Sequence, residues 1–248
     1  MQSWRELLPD YEIKEWNESN FDFSDCEYAV QAYNEKKYGF VSDYIRLAVL
    51  QKYGGIYLDT DIAVLRSFDD LLSHEMFLSF ENNAYVQTAV IGSEPNHPFL
   101  DLLLEYYRSR SFICKNKNDL TPNTIYLTYF LRKRLNMKFQ SETQVLQCGD
   151  RTVTVLNRCC LAPIDYTTNI ISITEETHTI HLFAGSWTES QSKVRDKVLR
   201  GVRYLFGKRI FAAFTKMYVL SCCRSLDRQC KKLQRNAEST KKIQNKTI

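Results

Sequence analysis

The chain has 248 residues, 44% of them hydrophobic and 25% charged, with a formal net charge of +4. That length and balance describe one large globular domain, or one domain with an appendage, built around a sizeable core. No apolar run approaches the roughly 20 residues of a membrane-spanning helix. The opening "MQSWRELLPDYEI" lacks the apolar centre of a secretory signal, so a cytoplasmic domain is expected.

In chain order, the first residues read as a helix end, followed by a turn at Pro9 and Asp10. A short strand over 11–16 and a polar turn over 17–20 come next. Between Ser42 and Tyr53, the residues Ile45, Leu47, Ala48, Val49 and Leu50 are too crowded for a one-sided stripe, which predicts a largely buried helix. Gly54 and Gly55 stop it, and "IYL" starts a strand. Beyond Leu65 the sequence predicts a helical turn in "SFDDLL", strands around 76–80 and 85–91, and helices from 98 to about 110 and from just after Pro122. Short strands around 152–156 and 179–183 follow. Strands alternating with helices indicate an α/β layered sheet. The eight cysteines are scattered or adjacent and form no CxxC pair, so they read as small buried hydrophobes.

The run "YGGIYLDTDIAVL" places Asp59 and Asp61 in an apolar setting. If the strand continues through them, Tyr57, Asp59 and Asp61 share one face while Ile56 and Leu58 pack on the other. Two carboxylates so close repel each other and lose hydration, so a positive charge is required beside them. A divalent cation, Mn²⁺ or Mg²⁺, fits hard carboxylate oxygens and also binds phosphates. The plainer alternative is that Asp59 ends the strand and Asp61 caps a turn. A DxD after a strand also opens the haloacid dehalogenase phosphatases, but Ile62 and Ala63 stand where that pattern needs a flexible residue and Thr.

The longer stretch "SDYIRLAVLQKYGGIYLDTD" resembles the sugar-binding region of glycosyltransferase family 32 and, more distantly, the glucosylating domains of large clostridial toxins. A second match, "HLFAGSW", resembles the family's closing segment before its C-terminal helix. The resemblance covers about residues 4–190. It implies a GT-A type fold and transfer of a sugar, with retention of configuration, from a nucleotide diphosphate donor such as a UDP-sugar or GDP-mannose. By the same resemblance, Asp59 holds ribose or sugar hydroxyls, Asp61 binds the metal, and Asp43, Arg46 and Tyr57 line the donor site. Ser186 and Trp187 close over the diphosphate. His181 is expected to be a metal or phosphate contact, and Asn82, Asn83 and Gln87 are expected to meet sugar hydroxyls. Without the resemblance, Asp43 and Arg46 would read as a helix-surface ion pair, and His181 and Trp187 as core residues.

Two departures from the family pattern qualify these expectations. Leu182 follows His181 where relatives present His-His, and the family's opening strand Ile-Pro-Lys-Ile-Ile-His has no counterpart in the sequence. The expectation is either a start further upstream or a nucleotide-binding sheet short of one strand. "DLTPNTIYLTYFL" keeps Thr121 and Pro122 of a helix start that faces the acceptor in relatives.

Charge divides the chain. Residues 193–248 hold 16 Lys or Arg against 3 Asp or Glu, while residues 1–192 hold 17 against 26. The division expected is a catalytic domain over 1–192 and a basic, amphipathic helical tail over 193–248. In the tail Val198, Leu199, Val202, Leu205, Phe206, Ile210, Phe211 and Phe214 alternate with cations, a pattern suited to an anionic membrane surface. Nucleic acid is set aside, because no aromatic platform accompanies the charge. The expected function is transfer of a hexosyl unit to a glycan or lipid-linked oligosaccharide in surface or capsular polysaccharide synthesis, at the inner face of a membrane. The competing expectation is an inactive or truncated relative that binds a membrane or a partner.

Overall fold

The computed structural model describes residues 2–82, 84–114, 116–140, 142–165, 170–182, 216–228 and 231. The chain opens with α1 (Gln2–Leu7), then α2 (Glu27–Asn34) and α3 (Tyr38–Tyr53), and enters the first strand, β1 (Gly55–Leu58). There follow β2 (Ile62–Val64), a 3-10 turn at Asp69–Leu71, β3 (Met76–Ser79), β4 (Val90–Ser93) and α4 (Pro98–Arg108). The small hairpin of β5 (Ile113–Cys114) and β6 (Lys117–Asn118) leads to α5 (Asn123–Arg134). A hairpin of β7 (Gln144–Cys148) and β8 (Arg151–Leu156) precedes the short α6 (Arg158–Leu161). Last come β9 (Ile164–Asp165), β10 (Ile170–Ile171) and β11 (Thr179–His181).

The central sheet has the order β1-β4-β3-β8-β7, with β3 and β8 parallel and the other pairs antiparallel. Both faces are covered, so the inner strands read as continuous apolar runs rather than alternating ones. Met76, Leu78, Ile91, Val153 and Val155 enter the larger core beneath α2, α3, α4 and α5. Their neighbours Phe77, Val90 and Leu156 turn to a second core with Trp4, Leu8, Ile62, Val64 and Phe68. The period of two along each strand makes this division. Phe77 lies opposite Gly92 in register, and a Cβ at Gly92 would stand 2.1 Å from the Phe77 ring.

The expected buried helix is α3, which begins earlier than the sequence suggested and buries Tyr44, Leu47 and Leu50 together with Asp43 and Arg46. Gly54 donates its N–H to Leu50 O at 2.8 Å and adopts φ 67°, ψ −159°, a conformation essentially restricted to glycine. The chain thereby turns straight from α3 into β1, which puts the side chains of both elements at one site.

Several expectations are corrected. Residues 11–16 form no strand; Tyr11 is anchored to Asp69 and Trp16 stacks on Tyr53, and these side-chain contacts hold the segment without strand pairing. The strand expected over 85–91 reduces to one bridge, Phe80 with Val86, before a turn leads into β4. The strand of the aspartate pair also stops early: β1 ends at Leu58 and Asp59–Asp61 form a turn, with Ile62 N–H donating to Asp59 O at 3.0 Å.

The described cysteines are all free, with Cys26, Cys148, Cys160 and Cys223 buried. Of the basic tail, residues 216–228 are helical, and Val219, Cys223 and Leu226 pack into the larger core while Met217 and Tyr218 are exposed. The apolar positions from Val198 to Phe214 lie outside the described residues. Among the described residues no helix is long and apolar enough to cross a membrane.

Candidate active site

The site grows from the junction of α3, β1 and the turn that follows. Asp43 and Arg46 lie one helical turn apart, on the buried side of α3, and Arg46 Nη2 stands 3.0 Å from Asp43 Oδ1. The same nitrogen lies 3.3 Å from Asp59 Oδ1, and Arg46 Nη1 lies 3.4 Å from Asp59 Oδ2. Nη1 also donates to Thr88 O at 2.6 Å, while Nε donates to Ser42 O at 3.2 Å and Nη2 to Ser42 Oγ at 3.3 Å. All three guanidinium nitrogens are engaged by protein acceptors, and the side chain is only 5% exposed. Tyr57 adds its ring face to the guanidinium at 4.8 Å and its hydroxyl to Asp59 Oδ1 at 2.8 Å.

Burial disfavours charge on Arg46, but Asp59, Tyr57 and Asp43 outweigh it and raise its pKa. The carboxyl of Asp43 is pushed up to about 7 by burial, with Arg46 pulling it down and Asp59 pushing it up. Tyr57 is raised as well, first by burial. Two carboxyl groups, Asp43 and Asp59, thus share the Arg46 guanidinium.

The outer part of the site is completed from far along the chain. β11 pairs antiparallel with β2, placing His181 opposite Ile62, and Leu182 N–H donates to Asp61 O at 3.0 Å. His181 Nε2 then stands 3.2 Å from Asp61 Oδ1. Asp59, Asp61 and His181 each present one ligand atom, all within 4.8 Å of one another, and all three residues are half-buried. Two carboxylates and an imidazole make a mixed oxygen and nitrogen donor set that fits a divalent cation, Mn²⁺ more readily than Mg²⁺ with its preference for oxygen. The expected metal residues Asp61 and His181 therefore meet, and Asp59 joins them.

Other expected residues lie elsewhere or are spent. Gln87 is 4% exposed, and both ends of its amide bond the backbone of Val90. Asn82 caps its own loop, accepting from Ala84 N at 2.8 Å and Tyr85 N at 3.2 Å. Asn83, Ser186 and Trp187 lie outside the described residues. The structure adds three residues that the sequence reading passed over: Ser42, Thr88 and Asn123. Of these, only Ser42 sat inside the recognised stretch, while Thr88 acts mainly through its backbone carbonyl, which no side-chain pattern reveals.

The group of Asp59, Asp61 and His181 could hold a divalent cation, and comparison with known proteins places two of the three in a recognised region. Residues 1–78 match the glycosyltransferase sugar-binding region containing a DXD motif, a likeness that supports a family 32 type of assignment for that part of the chain. Among its relatives, inositol phosphoceramide mannosyltransferase 3 of Schizosaccharomyces pombe is 32% identical over 99 residues, 38% of this chain and 28% of that protein. The human alpha-1,4-N-acetylglucosaminyltransferase is 39% identical over 72 residues, 27% of this chain and 20% of that one. An uncharacterised glycosyltransferase of Acanthamoeba polyphaga mimivirus is 30% identical over 119 residues, 46% of each chain. The chain thus matches less than half the length of each of these relatives, and no solved structure matches it.

Proposed function

We propose that the protein transfers a hexosyl unit from a nucleotide diphosphate sugar, a UDP-sugar or GDP-mannose, to a glycan or lipid-linked acceptor, with retention of anomeric configuration. The observation that carries this reading is the convergence of Asp59, Asp61 and His181 beside the Arg46 guanidinium, within and next to the matched region. Asp59, Asp61 and His181 would hold a divalent cation, which would supply positive charge for the departing diphosphate. Asp59, fixed by Arg46 and Tyr57, orients the donor through its hydroxyls. Asp43, beside Arg46, faces the sugar. Ser186 and Trp187 supply a hydroxyl and an indole N–H to the leaving diphosphate, as the resemblance implies.

The named substrate of the Schizosaccharomyces relative, inositol phosphoceramide, supports a lipid-linked acceptor here. The basic residues after 192 draw the domain to the anionic surface where such an acceptor resides. Assembly of a surface polysaccharide is a setting that fits this chemistry.

Titration of the protein with UDP-sugars and GDP-mannose, with and without Mn²⁺, tests the proposal. One nucleotide is expected to bind only with the metal. Asp61→Ala is expected to lower Mn²⁺ affinity by roughly 100-fold or more, as loss of a direct ligand should exceed the 10- to 100-fold cost of an outer partner. Its thermal midpoint should stay close to the parent's. Full metal-dependent binding in that variant, or none in the parent, would remove this reading.

A further inference from the structure

The turn between Val86 and β4 holds both halves of the acidic site by consecutive carbonyls. Thr88 O accepts from Arg46 Nη1 at 2.6 Å, and Ala89 O accepts from the Asp59 N–H at 2.8 Å. The two carbonyls could not both face the site if the strand expected over 85–91 ran straight, because successive carbonyls of a strand point to opposite sides.

Gln87 imposes the departure. Its Nε2 donates to Val90 O at 2.7 Å and its Oε1 accepts from Val90 N at 2.9 Å, so the side chain pairs with Val90 as a neighbouring strand would. Its own N–H donates to Ser79 O at 3.0 Å, tying the turn to β3. A primary amide this deeply buried is stable only with such partners. Two side chains of α5 hold the turn from behind. Thr128 Oγ1 accepts from Val86 N at 3.1 Å, and Asn123 Oδ1 accepts from Thr88 Oγ1 at 2.8 Å. The backbone N–H of Asn123 bonds the Asp43 carboxylate, so α5 reaches Asp43 directly and Arg46 by way of Thr88.

We propose that Gln87, backed by Thr88 and Asn123, is a positioning residue of the transfer site. It shapes the 87–90 turn so that two adjacent carbonyls fix Arg46 and Asp59, and through Asp59 the seat of the cation. This replaces the direct contact with donor hydroxyls expected of Gln87 from the sequence. The proposal rests on the reading of Asp59, Asp61 and His181 as the metal and donor site.

Two readouts on the full chain test it. The first is hydrogen exchange of the Asp59 amide in the metal-free protein, in the parent and in Gln87→Met and Gln87→Glu. Exchange of this one amide is expected to rise roughly tenfold in both variants, as a local opening would produce, with the amides of α5 unchanged. The second is Mn²⁺ affinity measured by electron paramagnetic resonance without donor. It is expected to fall by about 10- to 100-fold in Gln87→Met, the range for partners that orient a ligand. Thr88→Val should weaken Mn²⁺ binding in the same direction, and Thr88→Ser, which keeps the hydroxyl, should restore it. Leu103→Ala, a core change in α4, controls for simple loss of stability and should leave Mn²⁺ affinity at the parent's value. Unchanged Asp59 exchange in both Gln87 variants overturns the clamp. Raised exchange with unchanged Mn²⁺ affinity overturns the positioning role. A parent that binds no Mn²⁺ overturns the transfer-site reading, while the exchange measurement still reports on the clamp.

Discussion

Among the described residues, Arg46 and Arg110 have side chains only 5% and 7% exposed, and they are held by opposite means. Arg46 is surrounded by oxygens: three from backbone or hydroxyl groups and those of two carboxylates. Arg110 sits among aromatic faces, with its guanidinium 4.5 Å from the ring centre of Tyr28, 5.1 Å from Tyr106, 5.9 Å from Tyr107 and 4.3 Å from Tyr126. Its ion pair is with Asp119, which also accepts from Tyr126 Oη and from Thr121 N. The rings come from α2, α4 and α5, so Arg110 fastens three helices of the larger core. A guanidinium can serve as a rigid hub for planar acceptors or as a weakly hydrated plate between rings, and the chain uses one of each. The first arrangement fixes charges at a site, while the second fixes helices and leaves no carboxylate without another donor.

The sharpest way to break this comparison is Arg46→Met. Asp43 and Asp59 would lose their shared counter-charge, and breaking a buried pair of this kind costs about 3–5 kcal/mol. Urea unfolding should show that loss, and added Mn²⁺ should recover part of it, since the cation binds the native state.

Arg110→Met should cost less, about 1–3 kcal/mol, because methionine keeps favourable contacts with the rings and Asp119 keeps its other donors. Mn²⁺ affinity in this variant should equal the parent's; a fall would mean that the two arginines are coupled through α5.

Taken per pH unit, the smallest effect is in the pH dependence of stability. The folded Asp43 carboxyl, pushed up to about 7 by burial, lies above its ordinary 3.8, so the native state keeps a proton that the unfolded chain has released. Its contribution to stability is full below about pH 4, declines between there and 7, and is gone above. Asp43→Asn should flatten that decline, by at most about 1.4 kcal/mol per pH unit, when urea midpoints are compared from pH 4.5 to 8.

What could be read from the sequence followed local rules. The helix ahead of Gly54, the strand "IYL" and the helix starts at Pro98 and after Pro122 were legible from spacing and breakers, and Asp61 and His181, both expected as metal contacts, lie 3.2 Å apart. The turn at 87–90 was not, because "YVQTAVI" alternates well enough to read as a strand, and only the tertiary bonds of Gln87 show otherwise. The same holds for the aspartates: the apolar run through them suggested one strand, whereas β1 stops and the turn gives each carboxylate its own partner, Arg46 or His181. The tyrosine cage escaped notice because its members sit on three separate helices, and no periodicity within one element brings them together.

The pairing of β11 with β2 has a consequence for biosynthesis. A ribosome releases Asp59 and Asp61 early and His181 much later, so a growing chain can build α3, β1 and the Arg46 hub well before the imidazole arrives. Through that interval Asp59 already has the Arg46 guanidinium beside it, while Asp61 still waits for its imidazole neighbour. The group of Asp59, Asp61 and His181 is therefore completed late in the life of the chain, only in molecules whose remote strand has come home.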